Sequence, residues 1–255
     1  MNWTDDAIVL GGRRFGEGGL ILDVLTRTRG RRSALVHGGA SRRKRSQYEP
    51  GNSLHLSWTA RLEEQLGRFD VAEIAKSRAA HYLDIPDALA AISAVTALLR
   101  TSLDDGDAAG SALFEATEIF LDALDLKDVW PALYVRWEFG LLSALGFGLD
   151  VSTCALSGEN DGLTHVSPKT GRAVRGSEAA DYVDRLFRLP EFLISASAPL
   201  RPGDLADGLA LTGHFIDRRL YSAVNAAPPP PRDVLVQRLL RREPASQASG
   251  SGSIG

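Results

Sequence analysis

The chain has 255 residues, of which 44% are apolar and 24% charged, with a formal net charge of −3. This composition suits a soluble globular protein and excludes a disordered or fibrous one. No apolar run approaches the ~20 residues that span a bilayer, and the sole cysteine, Cys154, rules out an intramolecular disulfide.

The first 75 or so residues read as short strands separated by turns. Ala7-Ile8-Val9-Leu10 is an apolar run ended by Gly11-Gly12. Gly16-Glu17-Gly18-Gly19 is a turn, because glycine accepts positive φ without steric cost. Leu20–Thr26 predicts a second strand, Thr28-Arg29-Gly30-Arg31 a tight turn, and Ser33–His37 a third strand. Gly38-Gly39-Ala40 opens a basic loop running to Pro50. In Ser53–Trp58, the residues Leu54, Leu56 and Trp58 alternate with Ser53, His55 and Ser57, as in a half-buried strand. A fifth strand is expected over Gly67–Ala75. Five short strands with one long loop suit a small barrel of the OB type.

From about residue 79 the period becomes helical. Leu89, Ile92, Leu99 and Leu103 form one stripe, and Leu113, Thr117, Phe120 and Leu124 another. Asp104-Asp105-Gly106-Asp107 separates them, with Ser111 a candidate N-cap. Trp130, Leu133, Trp137, Leu141 and Ala144 make a broad apolar face that Gly146 and Gly148 terminate. Residues 150–177 lose periodicity. Helices are expected over Glu178–Phe187, Leu205–Val224 and Val234–Arg241, with a polyproline spacer at Pro228–Pro231 and a disordered tail from Pro244. The expected architecture is α+β: a five-stranded OB barrel (1–78), a helical domain (79–242) with an irregular insert at 150–177, and a tail (243–255).

Charge is distributed unevenly. Residues 1–80 carry 14 Lys and Arg against 9 Asp and Glu, whereas the remainder carries 15 against 23. Between Asp23 and Glu49 stand eight basic residues and no acidic one: Arg27, Arg29, Arg31, Arg32, Arg42, Arg43, Lys44 and Arg45. An ordinary solvated surface mixes both signs. A one-signed segment on barrel turns points to phosphate contacts with salt-sensitive, largely sequence-independent affinity. Arg13 and Arg14 are weaker candidates for the same role. Bases of a single strand also need stacking platforms. Phe15 and Tyr48 are candidates or else packing residues, whereas Trp58 reads as core.

Catalytic chemistry finds no support. The glycines near residues 11–19 are followed by no Gly-Lys-Ser/Thr, so they are turn residues and not a phosphate loop. The five histidines lack metal spacing, and Asp104–Asp107 lacks a calcium-loop pattern. No nucleophile elbow is present. A hydrolase or transferase would need a pocket of acidic or nucleophilic residues at the domain junction. An RNA-binding or adaptor OB protein stays open, because phosphate contacts carry no sugar identity.

Short motifs in order and spacing resemble the RecO family of DNA repair and recombination mediators. They are Ala7–Leu10, Arg14-Phe15-Gly16-Glu17, Leu20-Ile21-Leu22, Gly30-Arg31, Gly38-Gly39-Ala40 and Tyr48-Glu49-Pro50-Gly51, then Arg136-Trp137-Glu138, Leu145–Leu149 and Val166–Arg172. The resemblance implies an OB fold followed by a helical domain, binding of single- and double-stranded DNA, and annealing of complementary strands. It also implies help in loading the RecA recombinase onto strands coated by single-strand-binding protein. RecR and the acidic tail of single-strand-binding protein are implied partners, with Arg136 the candidate for the tail; its bland alternative is an ordinary surface arginine. Many relatives place four zinc-binding cysteines after the central helix. Only Cys154 stands here, so neither zinc nor another cofactor is expected. No membrane partner is expected either, nor a secretory signal, since Met1–Asp6 has no basic or apolar leader. The expected location is the cytoplasm, at the bacterial nucleoid.

Overall fold

The computed structural model describes residues 1–62, 65–195 and 197–242; the tail expected at 243–255 lies outside them. Strands β1 (Asn2–Phe15), β2 (Gly19–Thr26), β3 (Gly30–Val36), β4 (Ser53–Thr59) and β5 (Arg68–Lys76) close a barrel in the order β1-β2-β3-β5-β4. Helix α1 (Arg42–Arg45) joins β3 to β4. The pairings are antiparallel except the closing β3–β5 contact at Leu35 and Arg68.

Strand β1 is longer than its apolar run because it serves two neighbours. Residues 2–8 pair with β4, and residues 7–15 with β2. A bulge between Val9 and Gly11 lets it bend from one partner to the other. Both of its faces are covered. Ala7 and Val9 point into the barrel with Leu22, Leu54, Leu56, Trp58 and Phe69. Ile8 and Leu10, with Leu25 of β2, belong to the core of the helical half. That double burial explains why Ala7–Leu10 is continuously apolar and not alternating.

The helical half contains α2 (Arg78–His81), α3 (Pro86–Ser102), α4 (Ala108–Asp122), α5 (Trp130–Ala144), α6 (Asp204–Phe215) and α7 (Pro230–Arg242). Helix α4 starts earlier than its apolar stripe. Asp107 is the N-cap and accepts the Ala109 N–H at 2.8 Å. Ser111 is freed to accept the Gly30 N–H from the barrel at 3.1 Å. Helix α5 ends as its glycine predicts, in a Schellman turn with Phe147 N–H on the Leu142 carbonyl and Gly146 N–H on Ser143. Helix α6 continues through a π-helical turn (Ile216–Tyr221) and a 3₁₀ turn (Ser222–Val224). Pro230 opens α7, in the first turn where proline is tolerated, so the expected spacer is partly helical.

The irregular insert holds structure that periodicity could not reveal. β6 (Leu163–Val166), β7 (Ala173–Arg175) and β8 (Phe187–Arg188) form a three-stranded sheet in the order β7-β6-β8. The helix expected over Glu178–Phe187 is instead a pair of 3₁₀ turns leading into β8. Strands of two to four residues are too short to display a period of two.

One carboxylate ties three helices together. Glu138 of α5 is fully buried. It accepts Arg232 Nε and Nη2 of α7 at 2.7 and 2.9 Å, the Tyr134 hydroxyl at 2.6 Å and the Thr212 hydroxyl of α6 at 2.5 Å. Burial alone would lower the pKa of Arg232, but the charge and hydrogen bonds of Glu138 outweigh it and raise the value. Burial, then the Glu138 charge, pushes the Tyr134 phenol well above its ordinary range. Glu138→Ala leaves the Arg232 charge uncompensated and is expected to cost about 3–5 kcal/mol in urea unfolding. Glu138→Met combined with Arg232→Met should recover most of that loss.

Candidate nucleic-acid interface

The ten basic residues singled out in the sequence fall into three places. At one end, the last turn of β1 presents Arg13, Arg14 and Phe15 to solvent, and α1 presents Arg42, Arg43, Lys44 and Arg45, all exposed. These two groups are neighbours, because the loop after β3 returns to the β1–β2 turn, with Ala40 N–H on the Gly18 carbonyl at 3.3 Å. The expected basic loop is thus partly a helical turn, started by Lys44 and Arg45 N–H groups on the Ser41 carbonyl. Such a turn fans successive side chains by ~100°. Arg45 lies 3.9 Å from Glu49 with both groups well exposed, a pairing that contributes little.

Arg29 occupies the opposite end, in the β2–β3 turn. The eight residues of β2 at ~3.3 Å each put it about 25 Å away. Its guanidinium lies 5.2 Å from the Trp3 ring, which stacks on Trp58 at 5.5 Å.

Arg27, Arg31 and Arg32 lie where the barrel meets the helices. Arg27 pairs with Asp6 at 3.3 Å and with Glu118 and Glu115 of α4 at 3.2 and 3.7 Å, and lies 4.5 Å from the Phe114 ring. Arg31 donates to the Leu103 carbonyl at 3.2 Å and lies 3.6 Å from Asp23. Arg32 reaches Asp105 at 3.3 Å. The single surface expected from sequence is therefore divided: six cations at one end, one at the other, and three engaged with carboxylates and carbonyls at the domain junction. The physical cause is docking of the β2–β3 turn on the start of α4. Gly106 N–H bonds the Arg31 carbonyl at 2.7 Å. Gly30 has φ 67°, and a Cβ there would lie 2.0 Å from the Asp107 carbonyl oxygen, so only glycine permits the approach.

Sequence reading missed the rest of this junction. Arg78 is only 4% exposed; it bonds Asp122 at 2.8 Å, the Gly51 carbonyl at 3.0 Å and the Ser53 hydroxyl at 2.7 Å. Lys76 reaches Asp122 at 2.5 Å and Glu118 at 3.7 Å. The only signal was the acidic row Glu115, Glu118, Asp122 on one side of α4, which could equally have been a solvated face.

The aromatic candidates separate. Phe15 is 52% exposed, whereas Tyr48 belongs to the barrel core at 7% exposure. Of the two readings open for Tyr48, the structure selects packing: its ring lies in the barrel core, and burial raises its phenol pKa. Trp58 is core, with its indole N–H on the Leu66 carbonyl at 3.3 Å.

Arg136 of α5 donates to the carbonyls of Phe192 and Ser195, the latter at 2.8 Å. It lines a shallow pocket of about 210 Å³ with Phe139, Leu193 and Ile194. No carboxylate among the described residues pairs with it.

The insert is held without a metal donor set. Cys154 is buried, donates to Glu178 Oε2 at 3.2 Å and accepts the Arg175 N–H at 3.4 Å. Burial would raise its thiol pKa, but backbone hydrogen bonds, first from Ser157, lower it. Among the described residues no three His, Cys, Asp or Glu side chains gather around a common point, so the side chains present do not fit a tetrahedral zinc ion. Among the described residues, no helix is long and apolar enough to cross a membrane.

A closed five-stranded barrel of OB topology, with a basic end and a fused helical domain, places the chain among two-domain OB-fold proteins. Residues 1–78 match the family described as Recombination protein O N terminal, and residues 84–227 match Recombination protein O C terminal. The chain is 68% identical to the DNA repair protein RecO of Hyphomonas neptunium over 94% of its own length and 98% of that protein's. It is 47% identical to the DNA repair protein RecO of Rhodospirillum centenum, covering 93% and 94% of the two chains. With its counterpart in Phenylobacterium zucineum it shares 45% identity, covering 94% and 98%. The chain belongs to the RecO family of DNA repair proteins.

The junction carries a pH dependence. The Asp6 carboxyl is held below its ordinary value of 3.8, chiefly by the hydrogen bond with His55, with Arg27 adding to it. Burial would raise Asp122, but hydrogen bonds from Lys76 and Arg78 bring it below 3.8 as well. Depressed carboxyls contribute stability that is complete above their ordinary value and lost as pH falls through their folded values. The melting temperature should therefore fall, modestly because both carboxyls keep nearly half of their side-chain surface exposed, as pH drops below ~4. Asp122→Asn should melt about 2–4 °C lower at pH 7, corresponding to roughly 1 kcal/mol, and show a shallower acid decline. Parallel acid slopes for the two proteins would contradict this account.

Proposed function

We propose that the protein is a non-enzymatic recombination mediator that binds single- and double-stranded DNA through the basic end of its barrel. The observation that carries the reading is the cluster of six exposed cations there: Arg13, Arg14, Arg42, Arg43, Lys44 and Arg45. Two single strands repel through their phosphates. A basic surface lowers that repulsion and concentrates both strands, so complementary sequences pair faster with no bond broken and no cofactor. The proposed phosphate contacts are these six residues. Arg29 stands apart at the other end, and Arg27, Arg31 and Arg32 serve the junction.

In this reading the protein works beside RecR, helps load RecA onto strands coated by single-strand-binding protein, and acts in the cytoplasm at the nucleoid; membership of the RecO family supports it. Arg136 is the proposed contact for the acidic tail of single-strand-binding protein. A guanidinium beside Phe139, Leu193 and Ile194 suits a peptide that is acidic and apolar.

Simultaneous charge reversal of Arg42, Arg43, Lys44 and Arg45 to Glu is expected to weaken oligo(dT) binding by about 10²-fold near 100 mM salt. It should also flatten the slope of log affinity against log salt by about 3, at ~0.7 per single-strand contact. Fluorescence anisotropy across a salt series measures both, and an unchanged slope would remove α1 from the interface. Strand annealing should slow in parallel.

A further inference from the structure

A cleft of about 700 Å³ opens between the barrel and the helical half, within the ~300–1,000 Å³ of sites that hold a small molecule. Its walls come from both domains. The barrel domain supplies Arg14 and Arg45, α3 supplies Ser93 and Arg100, and the start of α7 supplies Pro231, preceded by Pro229. Arg14 and Arg45 also belong to the basic end, so the cleft is continuous with it. Arg100 adds a third guanidinium from the helical side.

The bulge in β1 shapes this wall. Gly11 follows the extra residue, and a Cβ there would lie 2.7 Å from Arg100 Nη1. The missing side chain leaves the place that the guanidinium occupies. Arg100 keeps 48% of its side chain exposed, and its nearest carboxylate contact is Asp23, 3.8 Å from Nε and already 3.6 Å from Arg31. Among the described residues, Glu49 is the one carboxylate lining the cleft, at 3.9 Å from Arg45. Positive charge therefore exceeds negative, and Pro231, partly exposed in the first turn of α7, gives the cleft a rigid apolar surface on which a flat ring can lie, with Pro229 buried beside it in the chain.

We propose that this cleft seats one unpaired nucleotide of a single strand, its base against Pro231 and its phosphate near Arg14, Arg45 and Arg100. The inference rests on the nucleic-acid reading above and extends it, because the helical domain becomes part of the binding site. It also supplies a strand preference. A base in a duplex must first leave its stack and its partner, whereas a base in a single strand is free to enter.

The test compares an oligo(dT) strand, the same strand with abasic positions, and a duplex of equal length, by anisotropy at fixed salt. Ser93 is exposed on α3, so Ser93→Trp fills the cleft and leaves every charge in place. Arg100→Gln removes one guanidinium without placing a new carboxylate near Asp23. Each variant should bind oligo(dT) about 10-fold more weakly, and duplex within 2-fold of the parent. The abasic strand should bind parent and Ser93→Trp alike. Melting curves verify folding. Equal losses on strand and duplex would overturn the proposal, as would unchanged oligo(dT) binding in both variants while the α1 reversal still abolishes it. Unchanged binding in the α1 reversal as well would instead sink the barrel-end reading. Loss of binding to a Glu-rich peptide in Ser93→Trp, with strand affinity intact, would assign the cleft to an acidic peptide and overturn the proposal.

Discussion

The structure depends on β1 being buried on both faces. A strand that lends Ala7 and Val9 to one core and Ile8 and Leu10 to another cannot slip by one residue without exchanging the two sets between cores of different shape. The barrel and the helices are consequently not independent beads. The bulge at Leu10 and Gly11 both bends β1 toward its second partner and opens the ground beneath Arg100. The junction that holds the fold together thus shapes the cleft beside it.

Around that apolar seam lies a ring of opposite charges. The acidic surplus of the helical half is spent partly on Arg27, Lys76 and Arg78, which α4 meets with Glu115, Glu118 and Asp122. Their partial burial makes them more consequential than surface pairs, since a charge left unpartnered there would carry a desolvation cost. Removing those cations from solvent concentrates the remaining positive charge at the far end of the barrel. A net charge of −3 is then compatible with a local surface that attracts polyanions, because within a Debye length of ~8–10 Å the neighbourhood decides the potential.

The insert after α5 is held by hydrogen bonds from side chains and backbone. Cys154 is held between a carboxylate and a backbone N–H. Arg219, presented by the π-helical turn, reaches the Phe147 and Thr170 carbonyls at 2.9 and 3.0 Å. These contacts join the end of α5 to the β6–β7 region, while Glu138 and Arg232 fasten α7 behind them. These hydrogen bonds cross-link the insert to its neighbours.

Sequence alone determined what depends on neighbours along the chain. Alternation at Leu54, Leu56 and Trp58 defined a barrel strand, helical stripes marked the major helices, and Gly146 marked the end of α5, because each rule needs only a few consecutive residues. The exposed cations of α1 were legible for the same reason. Tertiary structure decided which charges stay free. Arg27 and Arg42 look alike in sequence, but one meets Glu118 across the junction and the other faces water. It likewise buried Tyr48, built a sheet from strands of two to four residues, and brought Arg100 beside Arg14 and Arg45 across a wide gap in the chain. Long-range proximity is set by how cores pack, and no local pattern encodes it.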